Sequence, residues 1–260
     1  MNDLALAQQL ADIADQVSLA RFRANDLVID SKPDLTPVSD ADKKIEQLIR
    51  EHLLKVSPED GVIGEEFENK VSTNNREWIL DPIDGTKNYI RGVPIWATLI
   101  ALRQNNEITC TVVSAPAINR RWYASKGEGA YVVENILGKE EKRKLKVSAV
   151  SNISDASFAF AEVIKKDNWE DYYDKFLKLT NDVWRSRGFG DFWGHMLVAE
   201  GAVDIAVEPK LALWDMAALY LIVKEAGGSF TNLAGIDGVD GPGAISSNTL
   251  LHKDLLARFA

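Results

Sequence analysis

The chain has 260 residues, 46% of them hydrophobic and 27% charged, which is enough to bury one large core or two smaller ones and too apolar for a disordered chain. Thirty basic against thirty-nine acidic side chains leave a net charge of −9, which argues against a nucleic-acid backbone as the main ligand. The single cysteine, Cys110, excludes a disulfide framework, and its apolar, β-branched surroundings predict a buried, inert thiol.

The first ten residues carry Asp3 and no basic region, and no apolar run reaches membrane-spanning length, so a cytoplasmic protein with no membrane partner is expected. Leu6, Leu10, Ile13 and Val17 form one stripe of a helix that should end before Asn25. Turn formers fill Ser31 to Pro37. Ser39 then opens a second helix with Ile45, Leu48, Ile49 and Leu53 on its buried side, and Asp42, three residues on, matches a capping box.

Trp78, Ile79 and Leu80 read as a short strand running directly into Asp81-Pro82-Ile83-Asp84-Gly85-Thr86. From Ile95 to Val133, three β-branched runs separated at Gln104-Asn105-Asn106 and Lys126-Gly127-Glu128-Gly129 predict an antiparallel meander. The charged run Lys139 to Lys146 is expected to be a solvated connection. Beyond it the pattern alternates: strand at Phe158 to Phe160, helix at Trp169 to Leu179, strand at Val183 to Arg185, helix at Phe192 to Glu200, strand at Val203 to Val207. A helix from Trp214 to Ala226 follows, closed by Gly227-Gly228. The expected organisation is an α+β half over 1–137 and an α/β half over 138–260.

Chemistry concentrates in a few segments. In Asp81-Pro82-Ile83-Asp84-Gly85-Thr86 the proline forces a turn at the strand end and crowds two carboxylates into it. Such a pair suits a hard cation that prefers oxygen ligands. Gly85 permits close backbone approach, and amides around Thr86 could hold a phosphate. A turn plus a helix cap would explain one aspartate and the glycine, and would leave the other aspartate unexplained. Gly64-Glu65-Glu66 places two acids after an apolar pair, either as a solvated acidic turn or around a shared cation. Asp215, before an apolar helix, reads as an N-cap with one oxygen free to face a metal.

Together, Gly64-Glu65-Glu66, Asp81 to Tyr89 and Trp214-Asp215-Met216-Ala217-Ala218 resemble, in type and order, the signature segments of the inositol monophosphatase family. The resemblance spans almost the whole chain. It implies layers of helix and sheet in an αβαβα sandwich, a homodimer, and magnesium, two to three ions per site. Carried over by position, Glu65, Asp81 and the carbonyl of Ile83 would hold one ion, and Asp81, Asp84 and Asp215 a second; a third would share Glu65. Two such ions roughly 4 Å apart activate water for in-line attack on a small phosphomonoester without a phosphoenzyme. Thr86 and Asp42 would orient that water with the help of Glu65, and Glu66 would stand behind the ligands and orient them.

The stretch Arg185 to His195, with its Gly190-Asp191-Phe192 element, and Glu208-Pro209 resemble the histidinol-phosphate phosphatase branch of that family. A substrate with an ammonium group and an imidazole needs anionic partners, and Asp191 and Glu208 are the candidates, with Arg187 meeting the phosphate or holding Asp191. An ordinary Arg187–Asp191 ion pair at a helix start is the competing account. His195 reads as structural, and His52 and His252 as surface residues. Where many members of the family carry a histidine after the Gly-Thr segment, Arg91 stands here, a departure that bears on inositol phosphate and touches no proposed ligand. The rival readings are another activity of the same family, on inositol phosphate, fructose bisphosphate or a phosphonucleotide, and a non-catalytic metal-binding protein. A haloacid-dehalogenase type would need one residue between its aspartates, and Asp81 and Asp84 are separated by two.

Overall fold

The computed structural model describes residues 2–33, 35–163 and 169–260; Asp34, within the expected turn segment, lies outside them. Helix α1 (Asp3–Arg21) is capped by Asn2, whose side chain accepts from the Ala5 amide at 2.7 Å. A small hairpin of β1 (Ile29–Ser31) and β2 (Pro37–Ser39) leads into α2 (Asp40–Val56), where the expected capping box forms: Ser39 accepts from the first turn, and Asp42 accepts from the Ser39 amide at 2.9 Å.

Seven strands then build one sheet in chain order: β3 (Gly61–Gly64), β4 (Arg76–Asp84), β5 (Ala97–Gln104), β6 (Glu107–Ala115), β7 (Arg120–Ser125), β8 (Gly129–Ile136) and β9 (Lys139–Lys144). Only the β3–β4 pair is parallel. The short helix α3 (Thr86–Ile90) lies between β4 and β5. The alternation of side chains along a strand explains why this sheet is apolar on both faces. Trp78 and Leu80 of β4, and Ile100 and Leu102 of β5, pack under α1 and α2. Ile79, Leu99 and Ala101 face the other way, toward the second half of the chain.

Two expectations change here. The middle β-branched run is two strands, because Pro116 opens a single 3-10 turn and Asn119 adopts a left-handed φ of 55° that reverses the chain. The charged run is no connection: Lys139–Lys144 is the edge strand β9, with all six residues exposed. A row of charges on an outer strand is compatible with pairing on one side only.

The second sheet contains β10 (Ser157–Phe160), β11 (Arg185–Gly188), β12 (Ile205–Glu208), β13 (Gly228–Thr231) and β14 (Ala244–Asn248) in the order β11-β10-β12-β14-β13, parallel among β10, β11 and β12 and antiparallel at β14. Helices α5 (Asp191–Ala199) and α6 (Leu213–Glu225) are sandwiched between the two sheets, and α4 (Tyr173–Asp182) and α7 (Thr249–Phe259) cover the outer face of the second through Phe176, Leu179, Leu251, Leu255 and Phe259. The result is the αβαβα sandwich. The strand expected at 183–185 begins at Arg185, leaving Trp184 exposed, and β13, β14 and α7 are additions to the expected elements, although Asn248 caps α7 and Leu251, Leu255 and Phe259 recur along it at steps of four. His52 is half-buried, and His252 is buried between the hydroxyls of Thr231 and Ser247 at 3.1 and 2.8 Å rather than lying on the surface. Cys110 is buried as expected, its thiol pushed up to about 12 by burial. No helix among the described residues is long and apolar enough to cross a membrane.

Candidate active site

Strand β4 delivers the central carboxylates through a break in its own pairing. Its register with β5 slips between Asp81, opposite Leu99, and Asp84, opposite Ala97, so Pro82 and Ile83 bulge from the ladder and bring the two acids into one short stretch. The turn is held locally: the Ile83 amide donates to Asp81 Oδ1 at 3.0 Å, and the Thr98 hydroxyl donates to the Pro82 carbonyl at 2.7 Å. Gly85 follows at φ 85°, and a methyl group there would come 3.1 Å from both Asp191 Oδ2 and the Ile95 carbonyl, so the position requires glycine twice over. Behind it, Tyr89 stacks edge-on against Trp96 at 5.0 Å and donates to the Ser18 carbonyl at 2.8 Å, which anchors α3 to α1.

The third acid comes from across the molecule. Asp215 is not the N-cap of α6; Ala212 is, and the helix starts at Leu213, one residue before the expected Trp214. Asp215 occupies the third helical position, where Oδ2 accepts the Ala212 amide at 2.7 Å and the other oxygen remains available. Ligand oxygens of Asp81, Asp84 and Asp215 lie within 4.8 Å of one another. Asp84 also accepts the Phe192 amide at 2.8 Å, tying the turn to the start of α5.

Burial raises the pKa of each of these acids, and their mutual repulsion adds to it. Asp81 is pushed well above the usual carboxylate range by desolvation, then by Glu65, Asp84 and Asp215. Asp84 is pushed likewise, by desolvation and then by Asp191 and Asp215. Asp215 rises to about 7, with desolvation as the leading cause. Among the described residues no lysine or arginine forms an ion pair with any of the three. A converging, all-oxygen set of acids with no paired counter-charge among the described residues fits a hard divalent cation.

Glu65 stands outside that trio. Its carboxylate, with that of Glu66, is held by Lys32 from the β1–β2 turn at 2.6 and 2.8 Å. Sequence reasoning missed Lys32, and nothing in its local context distinguishes it from an ordinary turn lysine. It also missed Glu46, which is fully buried and accepts the Glu66 amide at 2.9 Å, fixing the Glu65 loop to α2. Gly64 makes room for it, since a methyl group there would overlap the Glu46 carboxylate. A signal did exist: Glu46 falls on the apolar stripe of α2, four residues from Asp42.

Asp42 is fully buried, and its pKa is raised by that burial. Thr86 Oγ1 donates to the Ile83 carbonyl at 3.0 Å and lies 3.4 Å from Asp42 Oδ1, so the expected pair is at the long end of hydrogen bonding. Asp191 opens α5 at φ 44°, a left-handed conformation that aspartate tolerates better than most residues, and Asn88 Nδ2 donates to it at 3.2 Å. Its pKa rises to about 6, chiefly through desolvation and then Glu162. Glu208, at the end of β12, is nearly buried; desolvation first, then Asp191, Asp84 and Asp215, push its pKa well up. Arg187 is a different matter. It is exposed, its guanidinium donates to the Ser186 carbonyl at 2.8 Å, and among the described residues it makes no ion pair with Asp191.

The inositol monophosphatase family model matches residues 2–259. The chain belongs to the inositol monophosphatase family. It is 50% identical to a histidinol-phosphatase of Streptomyces coelicolor over 98% of this chain and 96% of the relative, and 48% identical to a histidinol-phosphatase of Mycobacterium tuberculosis over 99% and 97%. Among solved structures of the family's fold, the extragenic suppressor protein suhB of Bartonella henselae superimposes with a TM-score of 0.87 at 28% identity, covering 98% of this chain and 97% of that one. The αβαβα sandwich is therefore the family fold, and the acidic cluster sits in a member of a phosphatase family.

Proposed function

We propose that the protein is a magnesium-dependent histidinol-phosphatase, hydrolysing histidinol phosphate to histidinol and phosphate. The observation that carries the chemistry is the convergent trio Asp81, Asp84 and Asp215; the substrate rests on two nearly full-length relatives at about half identity that bear that name. Asp81, Asp84 and Asp215, with Glu65 and the Ile83 carbonyl, would hold the ions. Bound magnesium supplies charge neutralisation at the phosphate and a more acidic water.

The chain's own groups do the positioning. Amides of Gly85 and Thr86 face the phosphate oxygens. When its proton turns from the Ile83 carbonyl to Asp42, the Thr86 hydroxyl presents its lone pairs to the attacking water and orients it in line with the leaving oxygen. Lys32 must release Glu65 for that carboxylate to take a ligand role. Asp191 and Glu208 receive the cationic end of the substrate, where a charge-assisted hydrogen bond discriminates it from a neutral polyol. Arg187 is left out of this assignment, because its guanidinium is engaged by its own strand.

The test is phosphate release from histidinol phosphate, inositol phosphate, fructose bisphosphate and a phosphonucleotide, each with magnesium and with chelator. Preference for histidinol phosphate that disappears with chelator is the expected result; activity that survives chelation would remove the metal reading, and preference for another ester would remove the substrate. Asp191→Ala should lower kcat/KM on histidinol phosphate about a hundredfold, the loss of one buried charged partner, and at least ten times less on p-nitrophenyl phosphate. Equal losses on the two esters would take Asp191 out of recognition.

A further inference from the structure

Glu208 shares a hydrogen bond with a fully buried histidine. His195 lies one turn into α5, four residues after Asp191, and is fully buried. Its Nε2 is 3.1 Å from Glu208 Oε1, and its Nδ1 is 2.7 Å from the hydroxyl of Ser246 on β14, also fully buried. The three residues come from three elements, β12, α5 and β14, and meet in the layer between the sheets.

We infer that His195 is a positioning residue for substrate specificity: as a neutral imidazole it clamps Glu208 toward the cationic end of the substrate without cancelling the charge that recognises it. This rests on the reading of Glu208 given above. Donor and acceptor roles follow from the chemistry. Burial and the neighbouring acids favour a protonated Glu208 in the free site, and a cationic substrate end beside it favours the ionised form; an ionised Glu208 can only accept, so with substrate bound Nε2 carries the ring proton and donates it, and Nδ1 accepts from the Ser246 hydroxyl. Burial lowers the His195 pKa to about 4, which keeps the ring uncharged in the working range. An arginine or lysine here would also orient the carboxylate, but it would satisfy the charge internally and leave less for an incoming ammonium or imidazolium. The imidazole fixes one oxygen and leaves the carboxylate anionic.

The helix geometry adds a coupling. Asp191 opens α5 and His195 lies one turn further on, so the first turn of that helix carries one acidic recognition group and reaches the other through His195. The bland account, a buried histidine satisfied by two neighbours, explains the hydrogen bonds but gives no reason for one of those neighbours to be a buried carboxylate whose ionisation Asp191, Asp84 and Asp215 oppose.

The experiment compares His195→Phe and His195→Gln in the full chain with magnesium, on histidinol phosphate and on p-nitrophenyl phosphate. His195→Phe keeps the ring and removes both hydrogen bonds; Gln restores a donor where Nε2 stood. The Phe variant should raise KM for histidinol phosphate about tenfold and lower kcat/KM at least five times more on that substrate than on the aryl ester, with Gln recovering most of the loss. In a Glu208→Gln background the Phe substitution should add less than about twofold. Equal losses on both esters, or full additivity with Glu208→Gln, would overturn the inference. If His195→Phe fails to fold, Ser246→Ala, which removes the far end of the chain of bonds, should show the same selectivity at a smaller size, and its absence is equally decisive. A Glu208→Gln variant that is itself unselective would instead overturn the assignment of Glu208, which distinguishes the two failures.

Discussion

Asp84→Asn is expected to lower kcat by roughly a thousandfold while leaving the fold intact, because metal catalysis contributes several kcal/mol and this residue belongs to the trio that would hold the ion. The substitution conserves volume, and an amide can still accept the Phe192 amide through its oxygen, so α5 should keep its place. The stability effect runs the other way. In chelator the Asn variant should melt several degrees above the parent, since it removes one of the mutually repelling carboxylates. Near-normal turnover, or a variant less stable than the parent in chelator, would remove Asp84 from the metal site.

The second large effect is on stability against pH without metal. Asp215 rises to about 7 and Asp191 to about 6 in the folded chain, against about 4 when unfolded, and Asp81 and Asp84 are raised as well. A carboxyl whose folded pKa is raised binds its proton more tightly in the native state. Its contribution is neutral below the unfolded value and becomes increasingly destabilising as the pH climbs to the folded one. The metal-free protein should therefore lose stability between about pH 4 and pH 7, with a fall in melting temperature of several degrees across that window. Magnesium should oppose the fall most strongly at its upper end, because it binds the ionised carboxylates. Melting curves in chelator and in magnesium at several pH values test this; a metal-free stability that rises with pH over the same window would mean that the cluster is compensated by some other charge.

Much of this site was legible in the chain because its residues break local rules. Two aspartates flanking a proline at a strand end cannot both be turn formers, and that conflict led to Asp81 and Asp84. Asp42 was legible as half of a capping box, which the structure contains, while its place beside Thr86 came only through family resemblance. Residues whose partners are distant in sequence stayed hidden. Lys32 reaches Glu65 across thirty-three positions, and no periodicity encodes that. Strands β13 and β14 were missed because Ser246, Ser247 and Asn248 read as loop chemistry, yet all three are buried and satisfied by the His195, His252 and Ser148 side chains. Asp215 reads as the cap of its helix because the residue that caps it is an alanine, which gives no side-chain signal.

Strand β9 has one more implication. An unpaired sheet edge is a template for a further strand, and a seven-stranded sheet left open in that way invites end-to-end polymerisation. Here the outer edge presents Lys139, Glu140, Glu141, Lys142, Arg143 and Lys144, every one exposed. A second molecule adding a strand would have to strip water from a row of mixed charges and match them in register. The segment that looks like an idle linker in the sequence thus works as a terminator: it ends the sheet, and it keeps a protein that must stay dispersed at working concentration from growing into a fibre along that direction.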